Sequence, residues 1–177
     1  MAARDAGGLT PPSFTLPTRV LIVAAPFYRA LADALITGAR AAIERAGATH
    51  ETVEVPGALE VPTAIRLAAR AGDFDGYVAL GCVIRGETTH YETVCSDSAR
   101  GLTLLGLEGL CIGNGILTVE TMDQARVRAD PDGMNKGGGA AEACLHLIAL
   151  ARRFAPTRAA LPEGSTRFAG TPGGTVA

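Results

Sequence analysis

The stretch GYVALGCVIRGETTH, residues 76 to 90, decides the fold. Gly76 to Ile84 is a continuous apolar run, the pattern of a strand buried on both faces. Such strands belong to parallel sheets covered by helices on both sides. Arg85, Gly86, Glu87, Thr88, Thr89 and His90 then follow with no spacer, and a helical pattern opens directly behind them. A buried strand that ends in a polar cluster at the head of a helix is the arrangement by which open α/β sheets present ligand sites.

The flanking segments repeat the unit. RVLIVAA (19 to 25) is a second buried strand. It leads into YRALADALITGARAAIERAG, where Leu31, Leu35, Ala39, Ala42, Ile43 and Ala46 recur at helical spacing and Gly47 supplies the stop. THETVEV (49 to 55) is a strand, and PGALEVPTAIRLAARAG a turn and helix ending at Gly72. Beyond residue 90 come the helix YETVCSDSARGLTLLGLEG, the strand LCIGNGILT (110 to 118) and the short helix VETMDQARVRA. DPDGMNKGGG reads as a loop before a last helix from Gly139 to Phe154. Four strand–helix units in series predict a three-layer α/β/α sandwich around a four-stranded parallel sheet with right-handed crossovers. SFTLP (13 to 17) is expected to supply an edge strand, added to a neighbouring subunit. The expected organisation is an N-terminal arm at 1–17, one domain at 18–155 and a disordered tail at 156–177.

Composition narrows the function. The 177 residues are 47% hydrophobic and 19% charged, enough to build one real core. Net charge is −2 and no basic block stands out, which argues against nucleic acid as a partner. The cysteines at 82, 95, 111 and 144 include no CxxC pair, so they read as buried reduced thiols rather than a zinc or redox site. No segment approaches the ~20 apolar residues that span a membrane. The start, MAARDAGGLTPPSF, lacks the apolar core of a secretory signal. A soluble cytoplasmic protein is expected.

Ligands of such a sheet bind at the carboxyl ends of the strands, here residues 25–29, 55–60, 82–90 and 113–118. Phe27 is placed either to stack on a planar heterocycle or to staple a helix to the core. Pro56 and Gly57 force a turn that frees backbone groups, and Glu60 either favours the helix N-terminus or accepts hydrogen bonds from ligand hydroxyls. Glu87 and Thr88 offer successive N–H groups before a helix, the composition of an anion-binding nest, although no GxxxxGK[ST] loop is present. Thr89 and Glu92 also fit a capping box, and both readings can hold together. A histidine can carry protons near neutral pH, so His90 can move protons in the same crevice, or be structural. No second ligand lies at metal-binding spacing from it. Asn114, between two glycines, can let a backbone approach a flat group, and Arg128 and Lys136 can meet a phosphate or remain solvated surface charges.

Taken in order, APFY, VPGALEVP, GCVIRGETTHYE, GNGILTVE and NKGG resemble the lumazine synthase family, over roughly residues 18 to 154. The resemblance implies a flavodoxin-like strand order and a transferase of riboflavin biosynthesis. Its reaction condenses 5-amino-6-(D-ribitylamino)uracil with 3,4-dihydroxy-2-butanone 4-phosphate to 6,7-dimethyl-8-ribityllumazine, releasing phosphate and water. It implies no cofactor and no metal, small-molecule substrates as partners, and His90 as the proton-transfer residue. Phe27, Ala58, Leu59, Glu60, Cys82, Val83, Ile84 and Asn114 match the pyrimidine and ribityl positions. Glu87, Thr88, Arg128 and Lys136 match those that hold the phosphate ketone. Asn114 stands where many relatives carry an apolar residue, and Asp132 where many carry Lys. The family also implies a homopentamer with sites between neighbours, occurring alone, as a dimer of pentamers, or as a 60-subunit capsid.

Overall fold

In a computed structural model of the chain, the described residues are 9 to 155. The expected tail at 156–177 and the first eight residues of the arm lie outside them. Nine elements follow in order: β1 (Arg19–Ala24), α1 (Arg29–Arg45), β2 (Thr49–Glu54), α2 (Glu60–Ala71), β3 (Gly76–Ile84), α3 (His90–Leu107), β4 (Ile112–Val119), α4 (Met122–Ala129) and α5 (Lys136–Phe154). All strand pairs are parallel, in the order β2-β1-β3-β4, which is the flavodoxin-like α/β architecture. Among the described residues no helix is long and apolar enough to cross a membrane.

Strand alternation sorts β1 and β3 into two cores. Val20, Ile22 and Ala24 face Leu35 and Ile43 of α1 and Leu145 and Ile148 of α5. Leu21, Val23 and Ala25 face Val61 and Ile65 of α2 and Leu102 and Leu105 of α3. Each fully buried Leu or Ile contributes roughly 1.5–3 kcal/mol of transfer free energy. That places β1 and β3 centrally and leaves β2 and β4 as edges, so THETVE is largely exposed despite its β-pattern.

Two local details differ from the sequence reading. First, α5 begins at Lys136, not Gly139. Asn135, at φ 46°, caps it by accepting the Gly138 N–H at 3.0 Å. The glycine run suggested a loop, yet it serves close approach: a Cβ on Gly137 would stand 2.1 Å from the Leu35 carbonyl oxygen of α1. Second, the capping box at Thr89 does not form, because the Glu92 carboxylate is held by Arg85 instead. Residues 13–17, expected to add a strand to a neighbouring subunit, form none within their own chain. They are tied down by the Phe14 N–H on the Ala46 carbonyl at 2.8 Å and by Arg152, which donates to the Pro17 carbonyl at 3.0 Å.

Candidate functional site

The carboxyl ends of β1, β2 and β3 open into one crevice of about 430 Å³. Phe27 and Tyr28 form one wall, Pro56 to Glu60 another, and Cys82 to Ile84 the floor. Gly86, Thr88 and His90 close the rim, with Tyr91 and Val94 beside them. Phe27 is 74% exposed, which leaves its ring free to stack and removes the reading of a core staple. It stands edge-on to Tyr28, ring centroids 5.0 Å apart. The Glu60 carboxylate bends back over Gly57, and no hydrogen bond or ion pair among the described residues engages it.

The turn after β3 is built to leave donors open. None of the backbone N–H groups of residues 86 to 91 makes a hydrogen bond among the described residues. Free N–H groups at the start of an 18-residue helix form a ready anion site. Gly86 is not in the left-handed region, and a Cβ there would meet nothing, so it is not the tight-turn φ that calls for glycine. Glu87 is exposed and does not line the crevice. The His90 ring, first residue of α3, has no partner among the described residues. Burial pushes the Cys82 thiol up to about 11, so it is neutral at ordinary pH and is no nucleophile.

Asn114, Arg128 and Lys136 gather elsewhere, in a second concavity between β4, α4 and α5. Asn114 turns its side-chain oxygen onto the Ile116 N–H at 3.0 Å, which leaves its amide NH2 outward. Arg128 donates to the Gln124 carbonyl at 3.0 Å. Neither Arg128 nor Lys136 has a carboxylate partner among the described residues, in contrast to the paired Arg19, Arg29, Arg66 and Arg85. Two unpaired cations beside an open amide suit an anionic group. Thus the twelve residues singled out from the sequence other than Glu87 fall into two sets, each brought together, which one chain does not join. Tyr91 and Val94 were missed, although Val94 stands four residues after His90 and three after Tyr91, spacings that share a helix face. Among the described residues no group of three or more His, Cys, Asp or Glu could hold a metal ion.

A parallel sheet with an uncharged aromatic wall, a nest of free N–H groups and a histidine at its carboxyl edge defines an α/β protein that offers a stacking surface and anion donors side by side. The sequence profile of the 6,7-dimethyl-8-ribityllumazine synthase family matches residues 17–152. A 6,7-dimethyl-8-ribityllumazine synthase of Jannaschia sp. (strain CCS1) is 54% identical over 172 residues, 96% of this chain and 97% of that one. One from Sphingopyxis alaskensis is 59% identical over 135 residues, covering 76% and 96%. One from Novosphingobium aromaticivorans is 56% identical over 136 residues, covering 77% and 98%. The chain belongs to the 6,7-dimethyl-8-ribityllumazine synthase family.

Proposed function

We propose that the crevice at β1–β3 of one subunit and the β4–α4–α5 concavity of a neighbour together form the site at which this enzyme condenses 5-amino-6-(D-ribitylamino)uracil with 3,4-dihydroxy-2-butanone 4-phosphate. The single observation that carries the division is the separation of the two residue sets within one chain. Phe27 stacks on the pyrimidine. The backbone at Cys82, Val83 and Ile84 reads its edge, and Ala58, Leu59 and Glu60 receive the ribityl hydroxyls. The N–H groups at Thr88 hold the phosphate from one side, with Glu87 on the outer face of that turn. Arg128 and Lys136 hold it from the other, and Asn114 offers its amide to the ring.

The chemistry fits these types. The 5-amino nitrogen attacks the ketone carbon, and loss of water gives an imine. Phosphate then leaves, and the second amine closes the ring with loss of water. His90 moves protons at these steps, and much of the acceleration comes from holding two reactants in line. Bidentate guanidinium binding of the leaving phosphate favours its departure.

A homopentamer supplies the neighbours. Support comes from the large apolar side chains left exposed on both helical layers of one chain, Leu107 of α3 on one face of the sheet and Leu150 and Phe154 of α5 on the other. Residues 13–17 add their strand to a neighbouring sheet, and the enzyme works in the cytoplasm. Following lumazine absorbance with both substrates tests the activity. In the same assay Arg128→Ala is expected to raise KM for the phosphate ketone at least about tenfold while leaving KM for the pyrimidine nearly unchanged. Equal effects on both would remove its role.

A further inference from the structure

No N–H of residues 86 to 91 donates a hydrogen bond among the described residues, and the Thr89 carbonyl, which accepts from the Glu92 and Thr93 N–H groups at 3.1 and 3.4 Å, ties the turn only to its own helix. The contacts that hold the turn against the rest of the sheet edge meet at Arg85. The Arg85 main chain donates to the Val119 carbonyl at 2.9 Å, extending the β3–β4 ladder by one residue. Its Nε donates to Glu120 Oε2 at 2.7 Å, and its Nη1 donates to Glu92 Oε1. Its guanidinium carbon lies 4.2 Å from the centroid of the Tyr91 ring. Tyr91 and Glu92 are the two residues after His90. Glu120 opens the turn into α4, where its N–H is held by Gln124 Oε1 at 2.9 Å, and the Gln124 carbonyl in turn holds Arg128. One planar cation therefore grips the first turn of α3 on one side and the approach to Arg128 on the other.

We propose that Arg85 is a positioning residue for the reaction: its clamp on Tyr91, Glu92 and Glu120 sets where His90 and the N–H groups of residues 86–89 stand. This rests on the crevice being the reaction site. The pairs are half exposed, with side-chain exposures of 40%, 54% and 55% for Arg85, Glu92 and Glu120. Ion pairs this open add little to stability, so the clamp acts on geometry. A lysine cannot replace it, because a point charge does not fork between two carboxylates while stacking on a ring.

Steady-state kinetics of the full chain test this with Arg85→Met, Arg85→Lys and Glu120→Gln. The Arg66→Met variant is the control; it removes a comparable exposed pair with Glu108, at 3.0 Å, away from the crevice. Arg85→Met is expected to lower kcat at least about tenfold, since small displacements of reacting groups are costly. KM for the pyrimidine should stay within about twofold and the melting temperature should hold, because pyrimidine contacts and core are untouched. Arg85→Lys should fail to restore kcat, Glu120→Gln should lower it less, and Arg66→Met should leave it unchanged. The inference is overturned by an Arg85→Met enzyme with wild-type kcat, or by full rescue in Arg85→Lys. If Arg85→Met does not fold, Glu120→Gln decides, and an unchanged kcat there overturns it. A wild type without turnover would instead overturn the reading of the crevice, and this inference with it.

Discussion

Cys82 lines the crevice with a thiol that burial keeps protonated, so the proposed chemistry does not call on it. Burial raises its thiol to about 11, so the thiolate fraction becomes appreciable only as pH approaches that value. The Cys82→Ala variant should keep most of wild-type turnover, and the pH–rate profile should show no thiolate limb below pH 10; loss of turnover in a folded variant would give the thiol a role. His90 stands opposite in character, exposed at the rim and unpartnered among the described residues. We expect His90→Ala to reduce kcat by roughly 10²–10⁴, the usual worth of a positioned proton carrier, while substrate alignment sustains a residual rate. Full retention would make His90 structural. The residue types of the crevice were legible because motif order places each at a strand end. What Glu92 does was not: the spacing Thr89–Glu92 obeys the capping rule, and only the fold brings Arg85 close enough to win the carboxylate.

Elements answer to packing more than to local propensity. The run KGGG reads as a loop because glycine disfavours helices, yet α5 includes it because α1 lies too close for side chains there. The same logic governs β4. A Cβ on Gly113 would fall 1.9 Å from the Ala140 carbonyl oxygen, so α5 would have to move away from the strand. Gly113→Ala should destabilise the fold by about 1–3 kcal/mol, the usual cost of overpacking, read as a lower denaturation midpoint with unchanged slope. An unaltered midpoint would mean that the helix and strand have slack. Buried strands such as β1 and β3 announce themselves by continuous apolar runs. Edge strands do not, since the exposure of THETVE depends on where β2 falls in the sheet order, and sequence alone does not state that.

At the scale of the whole molecule, the chain carries two separate concavities, one lined by His90 and the other by Arg128. The order of motifs made the family legible, but no spacing rule says whether Phe27 and Arg128 meet within one chain or across two. The geometry supports two, because the crevice with His90 and the concavity with Arg128 have no lining residue in common. Co-expression of His90→Ala and Arg128→Ala chains in equal amounts tests this most directly, with activity measured at subsaturating phosphate ketone. In a randomly mixed ring of shared sites, about a quarter of the interfaces regain both intact halves, so the mixture should reach roughly a quarter of wild-type activity, well above either variant alone. Activity no higher than the average of the two separate variants would contradict a site shared between subunits.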